Sequence, residues 1–167
     1  MRILIFSDSH GISRYMLKAL QLHGRRADAA IHLGDGASDL LSLRHEFPET
    51  AFYAAAGNCD SEIVRNTYDI GFTDSFNFDG VRVYACHGQT CGVKYGVEKL
   101  VYDASKQGCR VALFGHTHER YDRYHPTDGD GIYVFNPGSI SLPHDGRPSY
   151  GILEIKNGGI LLSHGEL

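Results

Sequence analysis

No stretch of this 167-residue chain approaches the ~20 consecutive apolar residues that would span a bilayer. The apolar run Ile3-Leu4-Ile5-Phe6 is also too short for the core of an export signal. Neither a membrane partner nor secretion is expected. The four cysteines, at 59, 86, 91 and 109, form no close CxxC pair, and the C-x4-C spacing of Cys86 and Cys91 has no second pair to complete a structural zinc site. A chain this long buries roughly 70% of the surface its unfolded form exposes, so it needs no disulfide to fold. Reduced thiols in a cytoplasmic setting are the expectation. A basic excess is missing too. The 16 Lys+Arg stand against 20 Asp+Glu, a net charge of -4, which disfavours nucleic acid because phosphate-tracking proteins carry a basic face. Linkers, repeats and low-complexity segments are absent, and the 42% hydrophobic and 22% charged content is ordinary for a globular protein. One domain spanning residues 1–167 is expected.

Residues 2 to 7 are apolar and rich in Ile and Leu, and Ile12, Met16, Leu17 and Leu20 then recur at helical spacing, which predicts strand followed by helix. Ala29 to Leu33 reads as a second strand, Ser38 as the cap of a helix running to His45, and Ala51 to Ala54 as the start of a third strand. Such alternation predicts a largely parallel sheet covered by helices. Beyond residue 70 the texture changes. Ile70 to Phe78 and Val81 to Cys86 flank Asp79-Gly80, a hairpin dipeptide. Val97 to Lys106 reads as a helix and Arg110 to Phe114 as a buried strand. The tail is mostly strand (121–124, 132–135, 150–155 and 160–163) with a turn at Asn157-Gly158. The fold class is α/β, with two sheets packed face to face and helices outside.

What the chain does have is ten histidines, several of them in telling places. Asp8-Ser9-His10, Gly34-Asp35, Gly57-Asn58-Cys59-Asp60, His87-Gly88 and Gly115-His116-Thr117-His118 each follow an apolar strand. In open α/β sheets, ligands bind outside the carboxyl ends of strands, so these segments should converge on one edge. Carboxylate, imidazole and one amide suit Mn²⁺, Fe²⁺, Co²⁺, Ni²⁺ or Zn²⁺ better than a thiolate-loving site. Taken singly, Asp8, His10 or Asp35 is a cap or turn residue, His116 and His118 are surface histidines, and His87 is a hydrogen-bonded core residue. Their ordered coincidence favours a metal centre. His23, His45 and His164 read as solvent-facing, and His32 as a sheet residue that supports Asp35 or simply packs. The loop His144 to Arg147 could reach a phosphate or be plain surface. Tyr121 and Tyr124 read as strand packing or a dimer surface, so a homo-oligomer is left open.

The motifs DSH, GD, GNCD, HG and GHTH, in this order from residue 8 to 118 and followed by Asn136-Pro137-Gly138-Ser139, resemble the calcineurin-like metallophosphoesterase superfamily, and most nearly its small YfcE-like phosphodiesterases. The resemblance covers essentially the whole chain and implies a four-layer α/β/β/α sandwich. It implies that Asp8, His10, Asp35 and His118 hold one divalent ion and that Asp35, Asn58, His87 and His116 hold a second, with Asp35 bridging. Manganese is the first choice of ion, with Ni, Fe, Co or Zn as alternatives. Two such ions with two carboxylates and a bridging hydroxide leave a net charge of about +1, which attracts an anionic phosphate. The reaction implied is in-line attack of a metal-bridging hydroxide on a small phosphodiester, with Asp35, Asn58 and His87 acting through metal and phosphate positioning. No Ser or Cys with a base and an orienting partner is evident as a protein nucleophile. Many relatives carry histidine after the motif's asparagine, whereas this chain has Cys59. A scaffold protein on the same fold, as in the retromer complex, a phosphomonoesterase and a nuclease are the rival readings. The chain is too short for a cap domain, so the site should be open.

Overall fold

The computed structural model describes residues 1–167, the Arg25 side chain excepted. Its elements in chain order are β1 (Arg2–Phe6), α1 (Arg14–His23), β2 (Ala29–His32), α2 (Ala37–Leu41), β3 (Ala51–Ala54), α3 (Glu62–Tyr68), β4 (Thr73–Phe78), β5 (Val81–Cys86), α4 (Glu98–Lys106), β6 (Val111–Leu113), β7 (Arg120–His125), β8 (Ile132–Pro137), β9 (Ser149–Lys156) and β10 (Gly159–Glu166). Short 3₁₀ turns occupy Gly24–Arg26, Ser42–His45 and Gln89–Cys91. No helix is long and apolar enough to cross a membrane, among the described residues.

Two five-stranded sheets form, in the orders β10-β9-β1-β2-β3 and β4-β5-β6-β8-β7. Both are mixed. The runs β1-β2-β3 and β5-β6-β8 are parallel, and antiparallel strands flank them, on one side in the first sheet and on both sides in the second. The alternation of side chains along a strand explains the layering. In β1, Ile3 and Ile5 enter the core between the sheets with Ile31, Val83, Leu113, Phe135 and Leu153. Leu4 and Phe6 point the other way, onto Met16 and Leu20 of α1 and Leu40 of α2. The second sheet repeats the arrangement: Tyr84, Phe114 and Val134 pack with Leu100 and Ala104 of α4. The result is the four-layer α/β/β/α sandwich expected from the sequence.

Both predicted hairpin turns are present, with Asp79-Gly80 at φ 50° and 81° and Asn157-Gly158 at φ 51° and 76°, the left-handed pair that a type I′ turn requires. Several expectations need correction. β4 starts at Thr73 rather than Ile70. Ser38 does not cap α2, which begins at Ala37 after Gly36. Helix α3 was not anticipated: it buries no residue and so shows no apolar stripe, but Ser61 caps it by accepting from Val64 N. His23 and His164 are not simply solvent-facing. His23 Nε2 lies 3.0 Å from the Tyr150 hydroxyl, and His164 stacks on Phe135 with Nε2 2.8 Å from Asn136 O.

Candidate metal centre

β1, β2, β5 and β6 end side by side, and the chain must leave each strand sharply for its polar residues to face one another. The backbone shows it. Asp8, His10, Asp35, His116 and His118 have φ of 55°, 46°, 56°, 69° and 58°, in the left-handed region that Asp and His tolerate better than most residues. Local bonds hold these turns: Asp8 N donates to Gly34 O at 3.1 Å and His10 N to Asp35 O at 2.9 Å, and His116 N to Asp8 Oδ2 at 3.1 Å. At Gly115 a Cβ would collide with the Ser7 hydroxyl and stand 3.0 Å from Asp8 Oδ2, so only glycine lets the GHTH loop lie against β1's end.

Six of the seven residues expected to bind metal come together. His118 Nε2 is 3.2 Å from Asp8 Oδ1 and 3.3 Å from His10 Nε2. His87 Nε2 is 3.3 Å from Asp35 Oδ2, 3.9 Å from Asp8 Oδ1 and 3.1 Å from His116 Nδ1. Donor atoms of Asp8, His10 and His118, of Asp8, Asp35 and His87, and of His10, Asp35 and Cys59 lie within 4.8 Å of one another in each set. The seventh, Asn58, precedes Cys59 at the edge of the cluster. It is exposed, and its Nδ2 donates to Cys59 Sγ at 3.3 Å.

The chemistry of this donor set fits divalent ions. His87 Nδ1 faces Leu33 O at 2.7 Å and His118 Nδ1 faces Leu142 O at 2.7 Å. A carbonyl only accepts, so both Nδ1 atoms carry hydrogen, and in the neutral ring each Nε2 lone pair points at carboxylate oxygen and at a second imidazole. Asp8 Oδ1 is buried with no hydrogen-bond partner among the described residues. Lone pairs crowded this way need a cation between them. Protons serve where metal does not: the hydrogen bond to Asp8 raises the His118 pKa. Burial would lower that of His87, but Asp35, Asp8 and the Leu33 carbonyl outweigh it and the net shift is upward. Burial opposes ionisation of Asp8 and Asp35 as well, yet their histidine partners hold both carboxyls below the usual range. The pKa of His116 is lowered by burial, then by His87 and Lys94.

Three motif residues, Asp60, Asn136 and Ser139, have supporting roles that went unread in the sequence. Asp60 is buried and accepts from the backbone N–H of Asp35 (2.9 Å), Gly36 (3.0 Å), Ala37 (3.1 Å) and Gly57 (2.8 Å), tying the GD and GNCD turns together and serving the start of α2. Ser139 Oγ donates to Asp8 O at 2.8 Å, and Asn136 Nδ2 donates to Gly115 O and Thr117 Oγ1, both at 3.0 Å. His32 supports the site through Ser9: its Nδ1 accepts from Gly34 N at 3.1 Å, which leaves Nε2–H for Ser9 Oγ at 3.1 Å. Ser9 Oγ donates onward to Asp39 at 2.6 Å. His144 joins the rim, stacked 4.8 Å from His118.

Two clefts border the cluster. One, of about 340 Å³, is lined by His10, Asp35, Asp39 and Cys59. The other, of about 540 Å³, runs from Thr117 and His144 over Phe114 and Tyr121.

Residues 1–158 match the calcineurin-like phosphoesterase superfamily domain. This chain belongs to that superfamily. It is a hydrolase of phosphoric esters. The probable metallophosphoesterase YsnB of Bacillus subtilis (strain 168) is 32% identical over 161 residues, 94% of this chain and 86% of that protein. Phosphodiesterase YfcE of Escherichia coli (strain K12) is 30% identical over 172 residues, 92% of this chain and 88% of that one. The fold is shared with a predicted phosphoesterase from Streptococcus pneumoniae TIGR4, whose crystal structure aligns with a TM-score of 0.79 at 23% identity, covering 99% of this chain and 88% of that one.

Asp60→Ala should destabilise the protein by about 3 kcal/mol or more, since it strands buried N–H donors that bond a charged group; in urea unfolding, a loss below about 1 kcal/mol would refute the role. Burial, first among its causes, lowers the His32 pKa from 6.5 to about 4. Between those values the unfolded chain binds a proton that the native state refuses, so stability falls as pH drops from about 6.5 to 4. For metal-stripped protein, His32→Gln should remove up to about 1.4 kcal/mol per pH unit from that slope. An unchanged slope would contradict it.

Proposed function

We propose that this protein is a phosphodiesterase that works with two divalent ions, manganese first among them, held by Asp8, His10, Asp35, Asn58, His87, His116 and His118. The observation that carries the reading is the pair of imidazole–carboxylate clusters, linked through Asp8 and Asp35, with a cleft on either side. A phosphodiester has two organic arms, and a phosphate seated at the cluster could direct one toward each cleft. Bound ions supply Lewis acidity and a hydroxide at neutral pH. The chain's own residues orient them. The Leu33 and Leu142 carbonyls fix the rings of His87 and His118, and the Cys59 N–H donates to Asp35 Oδ1 at 2.7 Å. Asn58, exposed beside the cluster, would complete the second ion's ligands. All four cysteines are free, in keeping with a reducing, cytoplasmic compartment.

Metal-stripped protein re-supplied with Mn²⁺, Ni²⁺ or Zn²⁺ should hydrolyse bis-p-nitrophenyl phosphate faster than p-nitrophenyl phosphate. Asp35→Ala and His116→Ala should each lose at least about 10²-fold, more than the ~10–100-fold typical of an outer-shell partner. Metal-independent turnover, or full activity in either variant, would sink the reading.

Cys59 offers only a weak S–H donor where an imidazole could protonate a departing alkoxide, and general-acid help is worth typically ~10²–10⁴-fold. Cys59→His should therefore raise the rate on diesters with basic leaving groups and leave activated aryl esters little changed. Equal changes across a leaving-group series would count against it.

A further inference from the structure

The 540 Å³ cleft beside His144 is larger than a phosphate needs, and its size falls within the ~300–1,000 Å³ of small-molecule sites. Its floor is apolar and aromatic. Phe114, 2% exposed, meets Tyr121 edge to face at 5.6 Å, and Val97 lies beside them. The Tyr121 hydroxyl is bonded to His125 Nε2 at 2.8 Å, which fixes both rings along the cleft. At the rim stand Lys94 and Glu98, both exposed and, among the described residues, in no hydrogen bond or ion pair. Continuity with the metal cluster comes through Thr117, which lies between His116 and His118, and through His144 stacked on His118.

We propose that this cleft binds the planar, hydrogen-bonding ring of the substrate, and so that the protein's substrates are nucleoside phosphodiesters of low molecular weight. The proposal rests on the phosphodiesterase reading above. An alkyl or acyl arm would use the aromatic floor but neither rim charge, and a glycerol or methyl arm would leave most of the volume empty. A nucleobase uses all three features: its face lies on Tyr121, which Phe114 backs edge to face, its amino or imide N–H donates to Glu98, and its carbonyl or ring nitrogen accepts from Lys94. Stacking on aromatic side chains is tolerant of base identity, so broad base acceptance is expected.

The test compares thymidine 5′-(p-nitrophenyl) phosphate with methyl p-nitrophenyl phosphate on Mn²⁺-loaded protein. The two share a leaving group and differ only in the arm the cleft would hold. The nucleoside ester should win in kcat/KM by about tenfold or more, the scale of one hydrogen bond to a charged group at the rim. Lys94→Ala/Glu98→Ala should bring the ratio toward one. Calorimetry with AMP and ribose 5-phosphate on the same proteins reads the cleft without turnover, with AMP expected to bind about tenfold tighter, an advantage lost in the double variant. Turnover of both esters at equal kcat/KM, or a preference that survives the double variant, overturns the cleft assignment and leaves the phosphodiesterase standing. An AMP preference that depends on Lys94 and Glu98, in a protein that hydrolyses neither ester, supports the cleft and overturns the phosphodiesterase reading instead.

Discussion

A residue other than glycine in left-handed backbone gives up roughly 1–2 kcal/mol, and Asp8, His10, Asp35, His116 and His118 all sit there. Each lies within five residues of the end of the preceding strand, where the chain reverses so that its side chain faces the cluster. The reversals require fixed strand ends, and the two sheets supply them. Ile3 and Ile5 of β1 lock against Leu113 and Phe135 of the opposite sheet, so the DSH and GHTH turns meet at a constant separation. Strain that persists at several neighbouring positions must be over-determined by its surroundings, and here buried polar bonds do that.

Asp60 and Ser139 are the main members of that support. Asp60 gathers N–H groups from two loops, and Ser139 bonds the carbonyl of the strained Asp8 from the far end of the chain. The cluster itself is electrostatically unfavourable until a cation enters it. Without metal, the carboxylates raise the pKa of His87 and His118; a metal bound there would compete with those protons. Binding to the native state alone then adds stability by mass action, so the strained loops and the metal support each other.

The sequence made the central strands β1, β2 and β6 legible because they are apolar on both faces, and it made the turn residues legible because Asp-Gly and Asn-Gly have few other uses. The cluster was legible from order: DSH, GD, GNCD, HG and GHTH each close a strand, and parallel strands bring their carboxyl ends together. What stayed hidden depends on partners distant in sequence. Asp60 reads as the tail of a motif, yet its work is the capping of backbone 23 to 25 residues away. His164 looks like a tail histidine and is stacked on Phe135, a contact that requires β10 to be folded back over β8. Helix α3 lacks an apolar stripe because it buries no residue. The cleft over Phe114 and Tyr121 exists only once α4 and β7 are placed.

The proposed function requires this edge of the fold to hold two ions side by side. Mn²⁺ titration of the stripped protein, followed by electron paramagnetic resonance, tests it most directly. The account predicts uptake of two ions per chain with a magnetically coupled spectrum. A single uncoupled ion, or free Mn²⁺ signal from the first addition, would contradict it.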